Sequence, residues 1–148
     1  MTLPPAALRW SDAYLLGYRP IDDTHREFVE IVDSMLSARD IELGDAIAAF
    51  ERHAEAHFGQ EAAWMEETGF PAMQCHVDEH DAVMKSVRRV RERVAAGDIA
   101  IGRRLAMELV SWFPAHADYM DSALAQWMVK KRYGGVPVVL KRNVDGAA

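Results

Sequence analysis

The 148-residue sequence contains one cysteine and no long hydrophobic run. The single cysteine, Cys75, excludes an internal disulfide and suits a reducing compartment. No apolar run approaches the roughly 18 residues that a membrane-spanning helix needs. The first residues also lack the charged segment followed by an apolar one that is typical of a secretion signal. We therefore expect a cytoplasmic protein that does not associate with membranes.

Basic residues are in the minority. The chain has 17 Lys and Arg against 23 Asp and Glu, a formal net charge of −6. No basic patch with interleaved aromatic residues occurs, which argues against a nucleic-acid partner. Hydrophobic residues make up 50% and charged residues 27% of the chain, as in ordinary globular proteins. This length and composition predict a single domain over residues 1–148 with a substantial core.

Apolar residues recur at helical spacing in four segments, which predicts an all-α protein. We expect an N-terminal arm over residues 1–20, a helical bundle over about 21–133, and a short tail over 134–148. The tail contains a β-prone run, VPVVL, with no other strand to pair with. The short connections between helices predict an up-down-up-down antiparallel four-helix bundle.

Turn-forming residues give the expected helix boundaries. The segment ARDIELG (38–44) is expected to separate the first two helices, so that the second begins near Gly44. Gly69 suits the end of the second helix, and the third is expected over about 72–96. Asp98 is expected to cap the fourth helix.

Histidines and acidic residues occupy positions on these helices where leucine would be expected. His57 and Glu61 are four residues apart, as are His76 and His80, so each pair lies on one helical face. The expected buried face of the fourth helix is otherwise apolar, and His116 lies among Leu105, Leu109, Trp112, Met120, Ala123 and Trp127.

The positions of these polar residues relative to the turns predict that they meet. In an antiparallel helix pair, residues equally far from the turn lie at the same level. His57 and His80 are equally far from the turn at 68–69, as are Glu61 and His76. His80 and His116 are equally far from the turn at 97–98. The expected group, within about two helical layers, is His25, His57, Glu61, His76, His80, His116 and Asp121.

Five imidazoles and two carboxylates buried without partners would be very costly. A metal site resolves this cost, and seven side chains exceed the four ligands of tetrahedral zinc. We therefore predict two metal ions with carboxylates between them. His116 and Asp121 are about 140° apart on an ideal helix, so either they approach from two flanks or the helix is distorted near Pro114. His53 flanks the apolar face beside His57, and we expect that it is not a ligand.

This region allows two other interpretations. Residues 76–80 match the inverted zinc-protease signature H-x-x-E-H, with Glu79 as base. That interpretation leaves His25, His57 and Glu61 unexplained, so we favour the two-metal site. Cys75 is either a redox-sensitive thiol or a half-buried packing residue, and we favour packing.

Four motifs in order resemble those of the hemerythrins, in particular the bacterial single-domain form. They are IDDTH (21–25), HFGQE (57–61), GFPAMQCHVDEH (69–80) and WFPAHADYMD (112–121). The resemblance covers roughly residues 10–130. It implies a non-haem centre of two iron ions (Fe²⁺/Fe³⁺) with a bridging oxo or hydroxo group, and reversible binding of dioxygen as ligand.

The resemblance also implies a role for each predicted ligand. One iron would bind His76, His80 and His116, and the other would bind His25 and His57, with Glu61 and Asp121 bridging both. The second iron then has an open position for dioxygen. The implied apolar wall of the ligand pocket is Phe58, Trp112, Phe113 and Ala117. The chain departs from the family at Thr24, where glutamine is common, at Pro114, and at Ala117, where isoleucine is frequent. We therefore predict a looser pocket.

Three functions follow as hypotheses. The first is dioxygen binding for storage, delivery or sensing, without enzymatic activity. The second is a di-iron oxidoreductase, peroxidase-like or handling nitric oxide, at the same centre. The third is a structural bundle that holds zinc. No acid–base residue beyond the ligands is evident, so we favour the first and assign no catalytic residue. The sequence assigns no oligomeric state or protein partner.

Overall fold

The computed structural model describes residues 8–134 and is helical throughout, apart from short connections and the N-terminal arm. The helices are a short 3₁₀ helix at Asp12–Tyr14, α1 at Arg19–Ser37, α2 at Asp40–Thr68, α3 at Met73–Ala95, α4 at Ile99–His116, a π-helical turn at Ala117–Asp121, and α5 at Ser122–Tyr133. The predicted tail lies outside the described residues except for Gly134, and so does the VPVVL run. Over the described range, no helix combines the length and apolar character that crossing a bilayer requires.

The helices form the predicted up-down-up-down antiparallel four-helix bundle. Each helix packs against its neighbour in sequence, and α4 also packs against α1. The fourth rod of the bundle is α4, the π-helical turn and α5 in continuous succession, because the backbone stays in the right-handed helical region through the junctions. Ion pairs between α2 and α3 show that the two helices are antiparallel. Arg88 pairs with Glu55, and Arg91, further along α3, pairs with Glu51, which is earlier on α2.

Two predicted turns lie where the glycines are. Gly69 adopts a left-handed conformation (φ 67°) directly after α2, and Gly97 does so (φ 106°) between α3 and α4. The Asp98 side chain accepts a hydrogen bond from the Ile101 backbone N–H at 3.2 Å, which confirms the predicted cap. The expected bounds of α3 differ from the observed ones by one residue at each end.

The expected break at ARDIELG (38–44) is wrong from Asp40 onward. Only Ala38 and Arg39 separate α1 from α2. The Glu42 carboxylate accepts hydrogen bonds from the backbone N–H and from Nε of Arg39, each at 3.0 Å, so it satisfies a donor that the helix start leaves free. Gly44 lies inside α2 and does not end a helix.

The arm packs on the bundle through the aromatic rings of Trp10, Tyr14 and Tyr18. Tyr18 is buried with its ring 5.4 Å from that of Trp64. The buried Asp22 carboxylate anchors the same segment, because it accepts hydrogen bonds from the backbone N–H groups of residues 16 (2.8 Å) and 17 (3.2 Å).

The core consists of two separate apolar clusters. The larger includes Phe28, Val32, Ile47, Phe50, Ala54, Phe58, Val87, Leu105, Leu109, Phe113 and Ala117. The smaller includes Tyr18, Ile21, Trp64, Met65, Phe70, Leu124, Ala125, Met128 and Val129. Along every rod of the bundle, residues of one cluster are separated from residues of the other by buried polar side chains.

The expected buried face of the fourth rod is wrong beyond His116. Met120 and Trp127 are only partly buried and Ala123 is exposed, whereas Leu124, Ala125 and Met128 are buried. The π-helical turn explains the difference, since it places one extra residue in a turn and shifts every later residue around the axis.

Gly102 marks the closest packing of α4. A Cβ atom at this position would lie 2.8 Å from Cδ2 of Leu43 and 2.8 Å from Cγ2 of Val94. Gly59, on the exposed face of α2, has nothing within 4 Å of the equivalent position.

We predict opposite effects of alanine at these two glycines. Gly102→Ala should lower the free energy of unfolding by about 1 kcal/mol, because overpacking costs about 1–3 kcal/mol and outweighs the helix-propensity gain of roughly 0.5–1 kcal/mol. Gly59→Ala is the matched control and should raise it by that gain. Chemical denaturation of the metal-free protein measures both. Equal stabilisation by the two substitutions would contradict the close packing of α4.

Candidate metal centre

A slab of buried polar side chains lies between the two apolar clusters. Its members are His25, His57, Glu61, His76, His80, His116 and Asp121, all of them buried. One is contributed by α1, two each by α2 and α3, and two by the fourth rod. The predicted convergence of these seven side chains is confirmed, and their role as metal ligands stays a prediction.

The donor atoms form two groups that each have the size of a metal site. The three-histidine cluster is His76, His80 and His116 with Asp121, and the two-histidine cluster is His25 and His57 with Glu61. Within each group, one ligand atom per residue lies within 4.8 Å of all the others. Each group could therefore hold one ion.

The Asp121 carboxylate reaches both clusters. Its Oδ1 lies 3.0 Å from Nε2 of His76 and 3.2 Å from Nε2 of His116. Its Oδ2 lies 2.9 Å from Nε2 of His25. One oxygen therefore faces each cluster, which is the placement of a carboxylate that bridges two ions.

The Glu61 carboxylate is placed in the same way. Its Oε1 lies 3.2 Å from Nε2 of His76 and 3.9 Å from Nε2 of His80. Its Oε2 is in close contact with Nε2 of His57, one turn earlier on α2. The two carboxylates thus approach the gap between the clusters from different helices.

The π-helical turn brings His116 and Asp121 to the same face. The Ser122 backbone N–H donates to the carbonyl of Ala117, five residues earlier. In such a turn, residues five apart lie one above the other, whereas an ordinary α-helix would separate them by about 140°. Of the two arrangements considered for this pair, the local distortion is the one observed. Pro114 lies within α4 three residues before the turn, where it removes one helical hydrogen-bond donor.

Burial and the nearby carboxylates shift the pKa values of the imidazoles in opposite directions. Burial lowers the pKa of His80 to about 3. For His76, burial acts in the same direction, but hydrogen bonds to Asp121 and Glu61 outweigh it and raise the pKa to about 9. Burial would raise the pKa of Asp121, yet hydrogen bonds from His116, His25 and His76 lower it well below its usual range. The carboxylates therefore favour the charged form of His76, whereas burial favours the neutral form of His80.

The seven side chains satisfy one another's hydrogen-bonding groups only in part, and metal ions would satisfy the rest. Nε2 of His80 and Nε2 of His116 face each other at 3.0 Å, and two neutral imidazoles that share an ion would both point a lone pair this way. Among residues 8–134, both Glu61 oxygens and Nε2 of His57 are buried without a well-aligned hydrogen-bond partner. Imidazole and carboxylate suit iron and other divalent transition metals.

Aromatic rings pack directly on the histidines at the side of the larger apolar cluster. Phe58 stacks on His80 with ring centroids 3.8 Å apart. Trp112 stacks on His116 at 4.2 Å. Phe113 meets the ring of His25 edge-on at 5.0 Å. Ala117, the smallest of the predicted pocket residues, is also buried in this cluster. These side chains exclude water from one face of the slab.

His53 lies one turn from His57 but belongs to neither cluster. Its ring is 5.6 Å from that of His57, and its Nδ1 lies 3.7 Å from Oε2 of Glu27. Burial, together with the neighbouring His57 and His25, lowers its pKa to about 4. The imidazole is therefore neutral near pH 7 and packs beside the slab.

Cys75 and Glu79 lie differently from what the sequence suggested. Cys75 is exposed, so the expectation of a half-buried packing residue is wrong. Glu79 accepts hydrogen bonds through Oε1 from Nδ1 of His116 (2.8 Å) and Nε1 of Trp112 (3.0 Å). These contacts of Glu79 were not predicted, although Glu79 and His116 are equally far from the turn at 97–98.

Comparison with known proteins agrees with this geometry. Residues 16–128 match the family described as the hemerythrin HHE cation binding domain. The chain is 40% identical over 124 residues to a bacteriohemerythrin of Ralstonia nicotianae, covering 84% of this chain and 90% of that protein. It is 28% identical over 142 residues to a bacteriohemerythrin of Stenotrophomonas maltophilia, covering 88% of this chain and 92% of that protein.

A bacteriohemerythrin of Pseudomonas aeruginosa is 25% identical over 142 residues, with the same coverage of 88% and 92%. The family match includes all seven polar residues of the slab and the four helices that carry them. Because the family model matches most of its length and a relative is 40% identical to it, this chain belongs to the hemerythrin family.

Proposed function

We propose that this protein binds dioxygen reversibly at a non-haem di-iron centre, for oxygen storage, delivery or sensing. The observation that carries the proposal is the placement of Glu61 and Asp121, each of which presents one oxygen to each histidine cluster. Two irons held in this way supply a redox-active centre to which dioxygen binds as a ligand.

The two proposed ligand sets differ in their number of histidines. His76, His80 and His116 would hold one ion, and His25 and His57 would hold the other. With both carboxylates shared, the second ion would have one protein donor fewer. We assign the dioxygen position to the side of His25 and His57, where Phe113 packs on the His25 ring.

The surroundings of the two-histidine cluster favour binding without turnover. The rings that contact His25 are those of His57 and Phe113, and His57 in turn contacts Phe58 and the neutral His53. Apolar rings supply no proton and exclude the water that would carry one. Bound dioxygen is thereby protected from the proton transfers that an oxidase or a peroxidase requires.

The proposal predicts a reversible colour change. The iron-loaded, reduced protein should gain a visible absorption band in air and lose it under vacuum or inert gas, through repeated cycles. Metal analysis of the same sample should give about two irons per chain. A protein that oxidises once and consumes a reductant would instead be a di-iron oxidoreductase. A colourless protein that contains zinc would reject both functions and leave a structural metal site.

The ligand assignment predicts different effects of two neighbouring histidines on α2. His57→Ala should reduce the bound metal from two ions to about one per chain, because it removes a donor from the smaller cluster. His53→Ala is the matched control, one turn away, and should retain two ions. Metal analysis after gel filtration, with circular dichroism as a check of folding, measures both. Equal metal loss in the two variants would exclude this assignment.

The pocket wall predicts an effect of side-chain size at Ala117. Ala117→Ile should slow autoxidation of the oxygenated protein several-fold, since a larger apolar side chain beside Phe113 hinders the entry of water. Ala123→Ile makes the same substitution on the exposed face of α5 and should leave the rate unchanged. The decay of the oxygenated band in air measures the rate. An unchanged or faster decay in Ala117→Ile would refute a loose pocket.

A further inference from the structure

We propose that Glu79 is a positioning residue that holds His116 in the orientation and tautomer needed to bind a metal, and that it makes the three-histidine cluster the tighter of the two sites. This proposal rests on the proposed function in one respect: it requires a metal ion at the three-histidine cluster. It does not depend on dioxygen binding.

The hydrogen bonds of Glu79 define which nitrogen of His116 carries a proton. Oε1 of Glu79 accepts from Nε1 of Trp112 at 3.0 Å and lies 2.8 Å from Nδ1 of His116. An indole N–H can only donate, so this oxygen acts as an acceptor. Nδ1 of His116 is therefore the second donor to it and carries the hydrogen.

This tautomer leaves Nε2 of His116 free to bind a cation. Nε2 lies 3.2 Å from Oδ1 of Asp121 and 3.0 Å from Nε2 of His80, inside the three-histidine cluster. The Trp112 ring also stacks on the imidazole, with centroids 4.2 Å apart and planes 20° apart. Glu79 and Trp112 thus fix both the rotation of the His116 ring and its tautomer.

Three of the other four histidines of the slab lack this support. Within residues 8–134, the Nδ1 atoms of His25, His57 and His76 are buried without a hydrogen-bond partner. A carboxylate on the outer nitrogen of an imidazole orients the ring and makes its inner nitrogen a stronger ligand. The three-histidine cluster gains this effect through His116, and we infer that it retains its metal more tightly and favours the more oxidised ion.

Glu79 is well placed for substitution because it lies in an open groove. The groove has a volume of about 250 Å³, runs between α3 and α4, and is also lined by Leu105, Glu108 and Leu109. The Glu79 side chain is 32% exposed, so its truncation does not create a cavity in either apolar cluster. Glu108 lines the same groove, is exposed, and serves as a control of equal charge.

The test uses cobalt(II), with a competing chelator, to measure the affinity of each site in the full-length protein without oxygen chemistry. Glu79→Ala should weaken one of the two sites by about 10- to 100-fold. Glu79→Gln keeps an acceptor oxygen for His116 and should stay within a few-fold of the original chain. Glu108→Gln should match the original chain at both sites. Circular dichroism of the metal-free variants checks that all of them fold.

A second measurement separates charge from orientation. In the iron-loaded protein, Glu79→Gln should shift the midpoint potential upward, because it removes a negative charge that stabilises the oxidised ion through His116. Glu108→Gln should leave the potential unchanged, since within residues 8–134 its side chain makes no hydrogen bond or ion pair with a histidine. A change that only altered folding would not produce this difference between two folded variants.

The inference is overturned if Glu79→Ala binds two cobalt ions as tightly as the original chain, or if Glu79→Gln and Glu108→Gln have the same potential. Should Glu79→Ala fail to fold, the Glu79→Gln potential alone decides. An original chain that binds two cobalt ions but whose iron form does not bind dioxygen reversibly rejects the proposed function and leaves this test intact.

Discussion

The structure depends on the burial of seven polar side chains between two apolar clusters. Each cluster alone packs as an ordinary bundle core, and the slab between them interrupts the apolar face of every rod. Buried imidazoles and carboxylates are costly unless each finds a partner. They satisfy one another only in part, since His80 faces His116 through two ring nitrogens. Each of the two groups of donors could hold a cation, which would satisfy the remaining lone pairs, so the fold and the candidate site depend on the same side chains.

The π-helical turn at residues 117–121 serves both the site and the core. It brings Asp121 to the face of His116, so that this one rod contributes one imidazole and one carboxylate that faces both histidine clusters. It also rotates everything after it, which is why Leu124 and Met128 fill the smaller apolar cluster. A regular helix would meet one of these requirements at the expense of the other. The local distortion reconciles them.

Spacing along regular helices was sufficient to predict the bundle and the meeting of the polar residues. His57, Glu61, His76 and His80 follow from a four-residue interval and the position of one turn. Prediction from spacing failed where the helix is irregular, because no simple rule locates a π-helical turn. The predicted buried face after His116 was therefore wrong. Spacing also failed at Glu79, whose bonds to His116 and Trp112 depend on side-chain rotamers across two helices. The start of α2 at Asp40 was missed because the whole segment 38–44 was interpreted as a break between helices.

The N-terminal arm packs on the rings beside the two-histidine cluster. Its 3₁₀ helix places Tyr14 against Phe113 at 5.5 Å, and Phe113 in turn packs on His25. Asp22, three residues before His25 on α1, accepts hydrogen bonds from the backbone N–H groups of the same arm. His25 is thus held by the segment that covers it. Because Phe113 also stacks on Phe28 at 4.7 Å, a displacement of the arm would affect both the packing on His25 and the larger apolar cluster.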